Sequence, residues 1–453
     1  MRELKLNKDL PMSSQRPTLE DIVALCKRRG FVFQSSEIYG GLNGIYDFGP
    51  LGVLIKDNLR AMWKKSISSP DKTIYFMEGS LLGPEAIWKA SGHADNFNDP
   101  MIDCTNCKKR FRADDPDVNI TGPCPHCGKT AWTDIRQFNM MFKTDLGAVA
   151  GQGSVAYLRP ETAQSIFINF KNVMSSNRVK IPFGIAQIGK SFRNEITPKQ
   201  FLFRMREFEQ MEIEWFCTAE SSFDFFDYWC KLRIAFYKTI GINTDRIRLR
   251  AHDKDELSHY SSQTSDVEYE YPFGWKELEG IAHRGDFDLT QHSKHSGKDL
   301  AVFDEETQKS FMPNVVECSV GTDRLFLTTL FDAYHVDTLG GEERTVLKLH
   351  PSIAPIKAAF LPLTKKLSEN MRHIYSTIAH LGYNVEFDES GSIGKRYRRQ
   401  DEIGTPLCFT FDFESLEDNC VTVRDRDTLK QERIKIETIE LCLATMLRPI
   451  RNY

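Results

Sequence analysis

The sequence predicts an α+β protein that ends in a small α/β domain. Three observations carry this expectation. Residues from about 155 to 215 alternate in the manner of strands, as in FGIAQIG and FEQMEIEWF. The segment PNVVECSVGTDRLFLTTLF, Pro313 to Phe331, reads as a buried strand, a glycine and then a helix. After Leu339-Gly340-Gly341 the pattern changes to alternating strand and helix, which places a domain boundary near residue 343.

From the N-terminal side, TLEDIVALCKRRG, residues 18–30, reads as a capped helix ending at a glycine, and YGGLNGIYDFGPLG then leads into a second helical stretch, VLIKDNLRAMWKKSI. Next comes CTNCKKRFRADDPDVNITGPCPHCGK, in which Cys104, Cys107, Cys124 and Cys127 form two C-x2-C pairs. Each pair on a tight turn aims two thiolates at one tetrahedral ion, so a structural Zn²⁺ is expected, with redox dithiols or free buried cysteines as the alternative. Four thiolates leave no open coordination position, and His126 reads as a bystander. From about 216 to 262 an aromatic-rich helix is expected, packed as core. VLKLH, KKLSENMRHIYSTIAHLGYNVEF and PLCFTFDF supply the strands and helix of the last domain.

Composition sets outer limits. With 453 residues, two to four domains are expected, and with no apolar run of about 18 residues and no apolar core in MRELKLNKDLPMSSQRP, a cytoplasmic protein is the simplest reading. The 11 cysteines, an odd number, argue against an oxidised secreted framework. A net charge of −4 excludes a chain basic all over but not a local basic groove.

Most of the chemistry is concentrated in GKSFRNEITPKQFLFRMREFEQMEIEW, Gly189 to Trp215. If SFRNE and REFEQMEIE are antiparallel strands, Arg193 and Glu195 point together, as do Arg206, Phe208, Gln210, Glu212 and Glu214. Phe208 and Glu212 then lie roughly 13 Å apart at a rise of about 3.3 Å per residue. That span suits a ligand with an aromatic base at one end and an ammonium at the other, Arg193 meeting a phosphate between them. A solvated charged sheet face is the competing reading of this hairpin alone. YLRPETAQS places Arg159 and Glu161 beside a proline at a strand end. In PNVVECSVGTDR, Glu317 and Ser319 share a face, Gly321 permits the turn, and Arg324 in the first helical turn is placed to lie flat on a purine opposite Phe208. GKRYRR, Gly394 to Arg399, interleaves Lys395, Arg396, Arg398 and Arg399 with Tyr397, a pattern suited to RNA or to a solvated face.

These segments together resemble the class II aminoacyl-tRNA synthetases, specifically the homodimeric type of glycyl-tRNA synthetase. FRNE with REF resembles motif 2, VVECS with GTDR resembles motif 3, and VLIKDNLRAMWKK with GSLLGPEAIWKASGH resembles motif 1, Pro84 standing at its strand-ending proline. RPETAQ, GWKELEGIAHRGDFDL, SGSIGKRYRRQDEIGTP and VTVRDRDT are also similar to segments of this family, in family order. The resemblance implies a catalytic domain over 1–343, an antiparallel sheet flanked by helices, with a zinc-ribbon-like insertion at 101–130 and a helical insertion at about 216–262. It implies an anticodon-binding domain over 344–453. The implied reaction joins glycine and ATP into glycyl-adenylate, then transfers glycine to the 3′ end of tRNA(Gly). ATP as substrate, Mg²⁺, structural Zn²⁺, tRNA(Gly) and a homodimer are implied by the same resemblance, with neither membrane nor DNA as partner.

Carried onto this chain, the resemblance assigns catalysis to Arg193, Glu195 and Arg324. For ATP it implies those residues with Asn194, the loop and strand Phe203, Arg204, Met205, Arg206, Glu207 and Phe208, the pair Glu277 and Leu278, and Gly321, Thr322 and Asp323. For glycine it implies Arg112, Glu161, Phe208, Glu209, Gln210, Met211, Glu212, Glu317, Cys318, Ser319, Val320 and Gly321. Cys318 stands where a proline is common in the family. Adenylate formation is an in-line attack that needs charge neutralised more than it needs a general base. Glu277 and Glu279, on one face of a predicted strand, are with Glu317 the candidates for Mg²⁺. His93, His252, His259, His283 and His295 are read as structural. A noncatalytic relative serving as an RNA-binding or accessory subunit is the alternative, against which Arg193, Glu212, Glu317 and Arg324 are all retained.

Overall fold

The structure, a computed structural model, describes residues 16–68, 73–115, 117–148, 154–258 and 261–447. The segment expected to lack a leader lies almost wholly outside these residues, as does His259. The first helix, Leu19–Arg29, opens with a capping box: the Asp21 N–H donates to the Thr18 hydroxyl, and the Thr18 N–H donates to the Asp21 carboxylate. The second, Pro50–Ile67, starts on a proline whose missing N–H costs nothing there, and buries Ile55, Leu59, Trp63 and Ile67 at helical spacing.

A seven-stranded sheet dominates. In chain order its strands are β1 (Ile74–Met77), β2 (Phe183–Phe192), β3 (Glu207–Cys217), β4 (Ile247–Ala251), β5 (Gln263–Tyr271), β6 (Gly274–Gly285) and β7 (Asn314–Gly321), arranged β4-β5-β6-β7-β3-β2-β1. Every pairing is antiparallel except β2 with β1. Alternation along β3 gives the sheet two chemically different faces. Met211, Ile213 and Trp215 join the main core with Cys318 and Val320 of β7, beneath the helices Pro50–Ile67, Ser222–Thr239 and Thr322–Ala333. Gln210, Glu212 and Glu214 therefore face the other side, paired in register with Gly321, Ser319 and Glu317. On that side Phe216, Val315 and Phe183 pack a second apolar cluster against the helices Ala163–Asn177 and Phe287–Ser296.

Three expectations need correction. Ala163–Asn177 is a helix inside the span read as strands, because Ile166, Phe167 and Phe170 recur at helical and not strand spacing. The helix expected over about 216–262 occupies only Ser222–Thr239; β3 continues to Cys217, and Ile247–Ala251 is the sheet's edge strand. The boundary placed near 343 falls within the strand Glu342–Leu347, while Leu347, Leu349, Ile353, Ala354 and Ile356 still pack in the first core. A separate core begins at Ala358. It belongs to a five-stranded sheet in the order Val385–Phe387, Ala358–Pro362, Leu407–Phe411, Cys420–Asp425 and Gln431–Lys435.

The basic run GKRYRR forms the first turns of the helix Ile393–Ile403, and helical periodicity turns half of it inward. Arg396 is 2% exposed and donates to the main-chain carbonyls of Pro362 and Asp388, Arg399 is paired with Asp388, and the Tyr397 hydroxyl lies 2.7 Å from that of Thr410. Lys395 is exposed, but with Arg396 buried the run as a whole is neither an open RNA surface nor a fully solvated charged face.

Candidate functional site

On the face of the main sheet opposite the core helices lies a cavity of about 550 Å³. β3 and β7 form its floor, β6 one wall, and the loop between β2 and β3 its rim. The residues that line it include Glu161, Arg193, Glu195, Phe203, Arg204, Met205, Phe208, Glu209, Gln210, Glu212, Glu277, Glu317, Ser319, Gly321, Asp323 and Arg324. Sequence alternation brought these together from five segments because β3 and β7 are neighbours in register.

Two groups of contacts differ in chemistry. In the acidic group, Glu212 accepts from the Ser319 hydroxyl at 2.6 Å, from the Gln210 amide at 2.8 Å and from the Thr162 hydroxyl. Glu161 meets the His93 Nε2 at 3.2 Å, and Glu317 accepts from Arg284 at 2.8 Å. Glu214, directly opposite Glu317 in the ladder, is wholly buried. Burial raises the carboxyls of Glu212 and Glu214, with the neighbouring Glu161 and Glu317 charges adding to it, and pushes Glu317 up to about 7 against the pull of Arg284. Glu161 goes the other way: burial is overcome by His93, Arg284 and Gln164, which hold its carboxyl well below the usual range. Carboxylates so crowded cannot all ionise by themselves, and a small cation among them relieves that repulsion.

The second group is cationic and aromatic. The Arg193 guanidinium lies 5.3 Å from the ring centroids of both Phe97 and Phe208, with Nε on the Pro160 carbonyl. Arg324 lies 4.4 Å above the Phe203 ring and donates to the Glu277 carbonyl at 2.8 Å. Arg204 is paired with Glu195 at 3.0 Å. Behind them, Lys56 and Arg60 of the second helix neutralise Glu209, and Lys56 also meets Asp323 at 2.6 Å. Planar cations on aromatic rings beside open space suit a nucleotide base and its phosphates.

Several expected residues are not brought into the cavity. The side chains of Met211, Leu278, Cys318 and Val320 are in the core, so only their main chain borders the site. Arg206 donates to the Glu195 and Asn43 carbonyls, Glu207 pairs with Lys190, Thr322 is buried, and Asn194 is tied through its N–H to Met140. Arg112 pairs with Asp99 at 3.0 Å and with Asp114 and does not line the cavity. Glu279 departs from its predicted face. A bulge in β6 sets Glu277 opposite Glu268 and Glu279 opposite Val267, and the wholly buried Glu279 meets Arg233 at 2.6 Å and Tyr237 on the core side. The three carboxylates expected to hold Mg²⁺ are thus not assembled, and Glu317 is engaged by Arg284.

Other contributors escaped the sequence reading. His93, read as structural, touches Glu161; Arg284 and Asp288 form a buried pair that supports Glu317; Thr162 and Gln164 bond Glu212 and Glu161. RPETAQ carried a signal for the last two. Gly189 makes room for Arg159, whose Nη2 would lie 2.1 Å from a Cβ there and which donates to the Lys190 and Gly79 carbonyls.

Away from the cavity, the ligand atoms of Cys104, Cys107, Cys124 and Cys127 all lie within 4.8 Å of one another. The Cys104–Cys127 and Cys107–Cys124 sulfurs are 3.6 and 3.8 Å apart. A tetrahedron with metal–sulfur bonds of about 2.3 Å has edges of about 3.8 Å, so the four thiols can hold a zinc-sized ion.

Comparison with known proteins places the chain in a family. A glycine–tRNA ligase of Geobacillus thermodenitrificans is 51% identical, covering 94% of this chain and 97% of its own length. The chain belongs to the glycine–tRNA ligase family. Members from Clostridium perfringens and Caldanaerobacter subterraneus are 48% and 49% identical, each over 95% of this chain and over 98% and 99% of their own. Residues 355–444 also match the anticodon binding domain family, whose start agrees with the core that begins at Ala358 better than with a boundary at 343. Among the described residues no helix is long and apolar enough to cross a membrane.

Proposed function

We propose that this member of the glycine–tRNA ligase family is a class II synthetase that activates glycine with ATP and esterifies tRNA(Gly) with it. The observation that carries this reading is one cavity with a carboxylate cage, Glu161, Glu212 and Glu317, and a set of arginines on aromatic rings, Arg193 on Phe208 and Arg324 on Phe203. Glycine's ammonium enters the cage, leaving its carboxylate toward the arginines. A carboxylate oxygen attacks the α-phosphorus of ATP and pyrophosphate departs with the bond electrons. Arg193 neutralises charge on the transferring phosphate. A ribose hydroxyl of the tRNA then attacks the glycyl carbonyl, and AMP leaves. Mg²⁺ bound with the triphosphate would lower its charge, and of the carboxylates expected to hold it Glu277 alone faces the cationic group.

The anticodon-binding match at 355–444 supplies the surface for tRNA in this reading, and Pro50–Ile67, the helix resembling motif 1, supplies a homodimer contact. Zn²⁺ on the four cysteines is structural, and the cytoplasm is the site of action. Glycine is chosen by steric exclusion: a wall against its Cα makes every larger amino acid clash, which discriminates better than an unfilled hole worth about 1–3 kcal/mol per methylene.

ATP–pyrophosphate exchange tests the reading. Exchange is expected with glycine and not with alanine or serine, without tRNA. A folded protein that binds tRNA(Gly) but exchanges with none of the three is a noncatalytic relative.

The carboxylate cage also sets a pH dependence. The ammonium binds the ionised cage, so protons compete as pH falls through the Glu317 value of about 7, while Glu161 stays charged. The glycine KM is expected to be lowest near pH 8, where Glu317 is ionised and the amine of glycine still carries its proton, and to rise below about pH 6.5 toward about tenfold per pH unit for Glu317 alone. A KM for glycine that stays level across this range removes Glu317 from the cage.

A further inference from the structure

The cage is held by a hydrogen-bonded circuit that reaches a histidine outside the cavity. His292, 5% exposed on the helix Phe287–Ser296, places Nε2 2.7 Å from the side-chain oxygen of Gln164. Gln164 is wholly buried, and its amide nitrogen donates to Glu161 and to Asp288, each at 3.0 Å. Asp288 accepts from Arg284 at 2.8 and 2.9 Å, and Arg284 donates to Glu317 at 2.8 Å. The two ends of the cage, Glu161 and Glu317, are thus joined through one glutamine.

The orientation of that glutamine is decisive. Its amide has two donors and one acceptor oxygen, and the structure directs both donors at carboxylates. The reverse orientation would set the amide oxygen against Glu161 and Asp288, oxygen against oxygen. An N–H at His292 Nε2 gives the amide oxygen its partner and favours the first arrangement over the second.

We propose that His292, acting through Gln164, is a positioning residue of the amino-acid site: its Nε2–H fixes the Gln164 amide, which holds Glu161 directly, and Glu317 through Asp288 and Arg284, where the ammonium of glycine needs them. This rests on the reading of the cage as the ammonium site.

The test uses ATP–pyrophosphate exchange with the full chain, varying glycine at saturating ATP and the reverse. His292→Leu fills the space but removes the donor, and is expected to raise the glycine KM about tenfold while moving the ATP KM less than about twofold. His292→Gln keeps an N–H near the Nε2 position and is expected to stay within about threefold of the parent in glycine KM. Gln164→Met, which removes the relay itself, is expected to raise the glycine KM at least as much as His292→Leu, and decides the matter if His292→Leu does not fold. Equal rises in both KM values overturn the proposal, as does a His292→Gln variant no better than His292→Leu. Glu212→Gln is measured alongside. A selective rise in glycine KM there, with none in the His292 and Gln164 variants, refutes the relay alone; no selective rise in any variant refutes the cage as well.

Discussion

Glu212→Gln is expected to raise the KM for glycine about a hundredfold while leaving the KM for ATP within about threefold. The substitution is nearly isosteric, and the surroundings tolerate it. Glu212 is bonded by two hydroxyls, Thr162 and Ser319, and by the Gln210 amide. Hydroxyls can accept as readily as they donate, so an amide nitrogen at position 212 still finds partners. What disappears is the charge. Breaking one side of a desolvated charge pair costs about 2–5 kcal/mol, most of it the penalty of a cation left unmatched. With glycine bound, that cation is the ammonium. In the proposed reading ATP meets the arginine end of the cavity, and its KM is expected to be indifferent. Initial-rate exchange kinetics in both substrates measure the separation directly, and comparable rises in both KM values would take Glu212 out of the ammonium site.

How much of this was legible in the sequence depends on the range of the interaction. Strand alternation is local and rigid, so the shared face of Phe208, Gln210 and Glu212, and of Glu317 with Ser319, came out as expected, and the strand register joined them. The C-x2-C pairs were legible for the same reason. Alternation misled at β6, where one extra residue sends Glu277 and Glu279 to opposite faces; a bulge leaves no mark in composition, and the pull of Arg233 and Tyr237 on Glu279 comes from another helix. His93, Arg284 and Asp288 were missed because the residues they hold in the site, Glu161, Glu317 and Gln164, lie far along the chain. GKRYRR misled in the opposite sense. Its charges suited either RNA or a solvated face, but a helix of period 3.6 on a sheet must bury some of them, and Arg396 caps main-chain carbonyls instead.

Arg193→Ala is expected to lower kcat for glycine-dependent exchange about a thousandfold at saturating glycine and ATP. The reason lies in how the guanidinium is held. It is flanked by the rings of Phe97 and Phe208, and Nε is fixed on the Pro160 carbonyl. Among the described residues no carboxylate lies within ion-pair distance of it, unlike Arg204, which Glu195 engages, or Arg324, which Glu277 engages. Its charge is therefore held in place by apolar rings and left for a ligand. Preorganised charge of this kind needs no rearrangement when negative charge builds on the phosphate oxygens, and so it acts on the barrier more than on ground-state binding. Arg193→Lys restores charge without the flat fork that rests between the rings, and is expected to recover only part of the rate. A rise in the KM for ATP with kcat preserved would assign Arg193 to uniform binding of the nucleotide. Charge development would then have to be met by Arg324, whose guanidinium would need to leave Glu277 as the reaction proceeds.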